Sequence, residues 1–252
     1  MEKRELRAGA EVLLAGAASR SKRSGNVPFP PAFVIAATRE GTPAPLARMI
    51  QGGQGGEVRL RLYLCITMMA SGKPYDLKPP PTSKSWAALL ALDSRTGERR
   101  VTRNLKWLAD NGFIRLERRW GGGPHAITLL SATGDGSDYV RPIEQGRYVG
   151  VPVEFWTQGW ILELSPTAAA LLLVLLEALG GHDEARYITT ERRHRYGLSS
   201  DTWTKATKEL AGHGLLTVGR EPQGSFYDHQ RLRNTYWLDV ERLKKPPVTP
   251  KG

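Results

Sequence analysis

Within eight residues the chain sets Arg99, Arg100, Thr102, Arg103, Asn104 and Lys106. A guanidinium is planar and permanently charged, so it can donate two hydrogen bonds to guanine O6 and N7, while an Asn amide can pair with adenine. Side chains of these types suit the base edges of a major groove. A second basic group, Arg118 and Arg119, runs through Trp120 into the tip Gly121-Gly122-Gly123-Pro124 and then His125. A tip without bulky side chains can approach a phosphate or a minor groove closely, although a plain hairpin turn would use the same residues. Further along stand Arg192, Arg193 and Arg195, then Lys205 and Lys208, then Arg231 and Arg233.

The residues of bond-making chemistry form no such constellations. Gly72-Lys73-Pro74 lacks both the upstream glycine and the following Ser or Thr of a phosphate loop, and Gly121-Gly122-Gly123 leads from one strand into another, unlike a dinucleotide turn. His125, His182, His194, His213 and His229 lack metal-ligand spacing, Cys65 lies in an apolar helical stretch, and no two carboxylates pair as acid and base. The sequence therefore reads as a protein that is not an enzyme and has no metal and no cofactor.

The charge is placed as a polyanion binder would place it. Of 252 residues, 40% are apolar and 24% charged, which is the balance of a soluble globular chain of two domains or one large one. The net charge is +11, with +4 in residues 1–56, +7 in 57–131 and zero in 132–252. The neutral third is itself divided, since 132–185 holds 2 basic and 8 acidic residues and 186–233 holds 9 basic and 5 acidic. Two basic zones flanking an acidic middle favour nucleic acid over a membrane surface, because neither terminus carries a basic amphipathic helix with a strong apolar face. The strongest apolar run, Ala168 to Leu176, is about half of what a membrane span needs. One cysteine and no Sec-type signal peptide fit a reducing cytoplasm, where such a protein would associate with the nucleoid.

Periodicity then supplies elements to position these side chains. Residues 1–45, with their basic Gly-, Pro- and Ser-containing composition, read as an extension that is helical in part of 4–18, with Phe33-Val34-Ile35 as a possible short strand. From Glu57, apolar residues recur at helical spacing as far as Ser71-Gly72. Ser83 opens a second helix through Trp86, Leu89 and Leu90, and a third runs through Val101, Leu105 and Leu108 to the Asn111-Gly112 stop. Strands at 113–119 and 126–130 complete a first unit, 46–132. After a linker, 133–147, comes a second unit, 148–243. It has a strand at 148–151, a short amphipathic element from Pro152 to Trp160, and an apolar helix opened by Ser165-Pro166 and closed at Leu179-Gly180. A short strand at Tyr187-Ile188, helices from Thr189 and from Ser199 or Ser200, and a hairpin of 215–218 with 234–238 follow, ahead of a basic Pro-rich tail, 244–252. The apolar helix needs cover on several sides, either from the 148–162 segment or from a second subunit; we expect a homodimer contact at Leu172 and Leu175.

An internal repeat ties the units together. Leu108-Ala109-Asp110-Asn111-Gly112-Phe113-Ile114 aligns with Leu210-Ala211-Gly212-His213-Gly214-Leu215-Leu216, and the same offset of 102 matches Val101 with Trp203, Thr102 with Thr204 and Lys106 with Lys208. A helix ending in Leu-Ala-x-x-Gly before a Phe-Ile or Leu-Leu strand resembles the winged helix-turn-helix superfamily, over about two-thirds of the chain. The resemblance implies a mainly α (α+β) protein with small β-hairpins, built as tandem winged helix-turn-helix domains. In the first unit, with Val101, Leu105 and Leu108 inward, Arg99, Arg103, Lys106 and Asp110 point outward; Arg100 and Trp107 flank one side, Thr102 the other, and Asn104 lies nearer the core edge. A solvated face would use the same good helix formers. In the second unit Asp201, Lys205 and Lys208 point outward, a thinner set that would serve DNA or protein packing. The expected role is that of a transcriptional regulator reading double-stranded DNA with both third helices. A tandem of this kind also resembles plasmid replication initiators, so initiation or partition of a mobile element is the alternative. Trp86, Trp107, Trp156, Trp160, Trp203 and Trp237 are expected mostly in the core.

Overall fold

The computed structural model describes residues 2–51, 55–118, 123–180, 184–223 and 231–248. In chain order they form α1 (Glu2–Ser21), β1 (Asn26–Phe29), α2 (Pro31–Val34), α3 (Pro45–Ile50), α4 (Gly56–Met69), α5 (Ser83–Leu89), α6 (Gly97–Asp110), β2 (Ile114–Glu117) and β3 (Ala126–Leu129). A 3-10 turn at Pro142–Gln145 leads to β4 (Val149–Pro152), α7 (Glu154–Thr157), α8 (Trp160–Glu163), α9 (Pro166–Leu179), β5 (Arg186–Tyr187), α10 (Thr190–Arg195), α11 (Ser200–Gly212), β6 (Leu216–Gln223) and β7 (Arg231–Leu238). The chain is thus α+β, with helices dominant and small antiparallel sheets: β1 with β4, β2 with β3, and a three-stranded sheet in the order β5-β7-β6.

Local chemistry sets most of these boundaries. Ser165 Oγ accepts the Ala168 N–H, Pro166 occupies the first turn of α9 where its missing N–H costs nothing, and Gly180 closes the helix at φ 60°. Thr189 and Ser199 cap α10 and α11 in the same way, and Thr82, one residue before the expected Ser83, caps α5. Gly159, at φ 77°, divides α7 from α8 where a single element was expected.

The N-terminal segment is no extension. On α1, Ala10, Leu14, Ala17 and Ala18 are buried, and the helix packs on α4, α5 and α7. Strand β1 pairs antiparallel with β4 across more than a hundred residues, Val27 opposite Val151, and Phe29, Phe33 and Val34 are wholly buried. Phe33 and Val34 belong to a helical turn, α2, where a strand had been the alternative. The expected linker is packed too: Tyr139 is buried edge-on against Tyr75, with ring centroids 4.8 Å apart.

Helix α9 finds its cover within the chain. Leu171 to Leu175 are entirely inaccessible, enclosed by α2, α3, α4, α11, β4 and β7. The expected homodimer contact at Leu172 and Leu175 is therefore incorrect, because neither side chain reaches the surface. One hydrophobic cluster runs from Leu14 to Leu243, and both expected units share it. Trp86, Trp156, Trp160 and Trp203 lie in that cluster and Trp107 packs against it, whereas Trp237, 37% exposed, does not.

Candidate nucleic-acid interface

Helix α6 is held against α4 and α5 by an apolar face of Val101, Leu105 and Leu108, with Asn104 among them. The turn before it is fixed by Asp93. One carboxylate oxygen accepts the N–H groups of Arg95 and Thr96, and the other accepts the Thr96 hydroxyl at 2.7 Å. The Thr96 hydrogen bonds hold this carboxyl below the usual range. Ser83 and Thr102 hydroxyls meet at 3.0 Å, so the start of α5 is pinned to the outer face of α6.

That outer face carries Arg99, Thr102, Arg103 and Lys106, all exposed. Among the described residues neither Arg99 nor Arg103 has a carboxylate within ion-pairing distance, while Lys106 pairs with Asp110 at 3.0 Å. Two residues expected to contact DNA from the edges of this face are held elsewhere. Asn104 is 1% exposed; its amide donates to Arg100 O at 2.8 Å, and its Oδ1 lies where a side chain on Gly55 would collide. It fits α6 to the start of α4 and cannot read a base. Arg100 is half-buried and turns aside toward Glu57, 3.8 Å away.

The β2-β3 hairpin follows α6 directly, with Glu117 opposite Ala126 as its last pair. Arg118 and His125 are exposed beside its tip, and Arg119 lies outside the described residues, as do Trp120, Gly121 and Gly122. Sequence reasoning missed the exposed Lys84, next to the Ser83–Thr102 contact, and Arg95, in the turn before α6, as well as the exposed Arg115 of β2, which pairs with Asp138 at 3.6 Å. Each follows or precedes a residue at a cap or strand position, so a helical wheel drawn on α6 alone could not find them.

The second unit repeats the backbone construction closely. Leu215 N–H reaches Leu210 O at 3.0 Å as Phe113 N–H reaches Leu108 O at 2.9 Å, and Gly214 and Gly112 take φ 71° and 73°. Its cations are spent differently. Arg192 is gripped by buried Glu177 at 2.9 and 3.0 Å and donates to the Tyr196 hydroxyl, which itself donates to Glu177 at 2.5 Å. Burial and then Glu177 push the Tyr196 phenol up. Arg147 joins the same carboxylate at 3.1 Å. Arg192 is thus a structural cation, a correction to its expected place in the interface. Arg193 stacks over Trp203 at 4.5 Å, and Arg233 lies over Tyr187 at 4.9 Å and donates to its hydroxyl. Lys205 pairs with Asp201 at 2.8 Å, and Lys208 is exposed. Arg231 lies opposite Gln223 at the end of β7; its side chain lies outside the described residues.

Between the two units lies a cleft of about 640 Å³ bordered by Arg7, Glu57, Arg61, Arg100, Glu163 and Glu209. Arg61 donates to Leu162 O and Leu164 O and pairs with Glu57 at 2.6 Å, fastening α4 to the end of α8. Arg100 of α6 and Glu209 of α11 both line this cleft. Among the described residues no group of three His, Cys, Asp or Glu is placed to hold a metal, and no helix is long and apolar enough to cross a membrane. No protein family matches the chain, and neither does any curated protein or solved structure.

Proposed function

We propose that this chain binds double-stranded DNA through two winged helix-turn-helix units, with α6 as the principal reader of the major groove. The observation that carries the reading is the α6 face: Arg99 and Arg103 stand exposed and without carboxylate partners among the described residues, on a helix seated against α5 and followed by a hairpin. The element orders support it. The second unit runs α9, β5, α10, α11, β6, β7 with β5 paired to β7. The first runs α4, α5, α6, β2, β3, and residues 75–77 lie against β3 where β5 would be, with Leu77 N–H on Ile127 O and Leu129 N–H on Tyr75 O, both at 2.9 Å. Helix, strand, helix, helix, hairpin is the plan of a winged helix.

A transcriptional regulator is the role that fits best. Selection from random duplexes tests it: the wild-type chain should enrich one short sequence, and the Arg99→Ala/Arg103→Ala variant should lose preference at two base positions within it. Failure of the folded wild type to retain any duplex at low salt would sink the proposal.

A further inference from the structure

Among the described residues the outer face of α1 is unpartnered. With Ala10, Leu14, Ala17 and Ala18 turned inward, the opposite side presents Glu5, Ala8, Gly9, Val12, Ser19 and Arg20, and Val12 is 74% exposed, more than any other large apolar side chain among the described residues. Leu13, 42% exposed, stands beside Val12 and borders two adjoining hollows of about 850 and 330 Å³. Both also touch Ala88 of α5, so together they form one groove alongside α1, continuing over Met69, Leu77 and Pro79 to Pro81. Apolar surface this open on a helix face is costly unless something covers it.

We infer that the cover is a second copy of this chain, docked through α1 in antiparallel fashion. The sequence of the exposed face is complementary to itself. An antiparallel α1 pair centred between Val12 and Leu13 places Val12 against Leu13 of the other copy, Gly9 against Gly16, and Glu5 against Arg20, each pairing occurring twice by symmetry. Charge thus meets opposite charge at both ends, apolar residues meet at the centre, and the small residues between let two helix backbones approach closely. Nothing lies within 4 Å of the position a side chain on Gly9 would occupy, so that glycine serves no packing need within its own chain. The groove beside α1 receives the Val12 and Leu13 side chains of the other copy. The pair forms without DNA, so its test stands apart from that of the DNA-binding proposal.

Sedimentation equilibrium of the full chain without nucleic acid, from about 1 to 200 μM, tests the inference. The wild type should show a reversible monomer–dimer equilibrium. Val12→Glu, at a site exposed in the monomer, should remain folded by circular dichroism and be monomeric throughout. Glu5→Arg and Arg20→Glu should each weaken the dimer about tenfold, and the two together should restore it. A wild type that is monomeric throughout, a dimer that survives Val12→Glu, or a double charge exchange no tighter than the single changes would each overturn it.

Discussion

Helices α6 and α11 end in the same backbone construction, with matching hydrogen bonds and left-handed glycines at Gly112 and Gly214, yet they present opposite electrostatic economies. On α6, Arg99 and Arg103 face outward without carboxylate partners among the described residues, while Lys106 pairs with Asp110. In the second unit, buried Glu177 collects Arg192 and Arg147, Trp203 takes Arg193, and Asp201 takes Lys205. The hairpins differ in the other direction: β2 and β3 pair over four residues, β6 and β7 over eight. The first unit offers charge and the second offers reach. A count of Lys and Arg per segment conceals this, because a cation held by a buried carboxylate adds little attraction toward phosphate.

The largest expected effect tests the sequestering of those cations. Glu177→Ala leaves a buried phenol and two guanidinium groups without their acceptor, so stability should fall by about 3–5 kcal/mol in chemical denaturation. An unchanged midpoint would show that the ion cluster carries no structural duty and that Arg192 is available to DNA after all. Next comes the contrast between helices. Arg99→Ala or Arg103→Ala should cost about 1–3 kcal/mol of binding to a selected duplex, whereas Lys205→Ala should cost under about 0.5 kcal/mol. Fluorescence anisotropy with the same duplex ranks them, and the reverse ranking would invert the roles of the two units. A smaller effect is expected at the first hairpin. Arg118→Ala should leave base preference intact and reduce the slope of log affinity against log salt by about one; an equal slope would remove that hairpin from the interface. The smallest concerns the separability of the units. Cys65 is buried in the core that both units share, and its thiol is pushed up to about 12, chiefly by burial. It should resist a thiol reagent at pH 8 until denaturant unfolds the whole chain; prompt native labelling would mean that the units open independently.

Much of this arrangement is legible in the residues themselves. Periodicity marks α6 and α11, capping chemistry marks α9 and α11, and the repeat of Leu108 to Ile114 at Leu210 to Leu216 carries into matching hydrogen bonds. What stays hidden is long-range. The buried side of α1 is mostly alanine, which gives a weak apolar period, and β1 acquires meaning only through β4, far along the chain. Asn104 shows a similar limit: a wheel puts it near the core edge, but only the approach of Gly55 shows that it is enclosed. The hold of Glu177 on Arg192 likewise depends on where the chain brings the start of α10 relative to the last turn of α9, which no local pattern specifies.

The pairing of β1 with β4 also sets a timetable for synthesis. Asn26 lies opposite Pro152, so the partners are 126 positions apart in the chain. At about 5–20 residues per second a ribosome needs roughly 6–25 s to make that span. Throughout that interval Val27, Phe29 and the inward side of α1 lack the strand and the α7 helix that enclose them. The first unit leaves the ribosome early but closes late, and the nascent chain is most open to chaperones or to premature association just before β4 emerges.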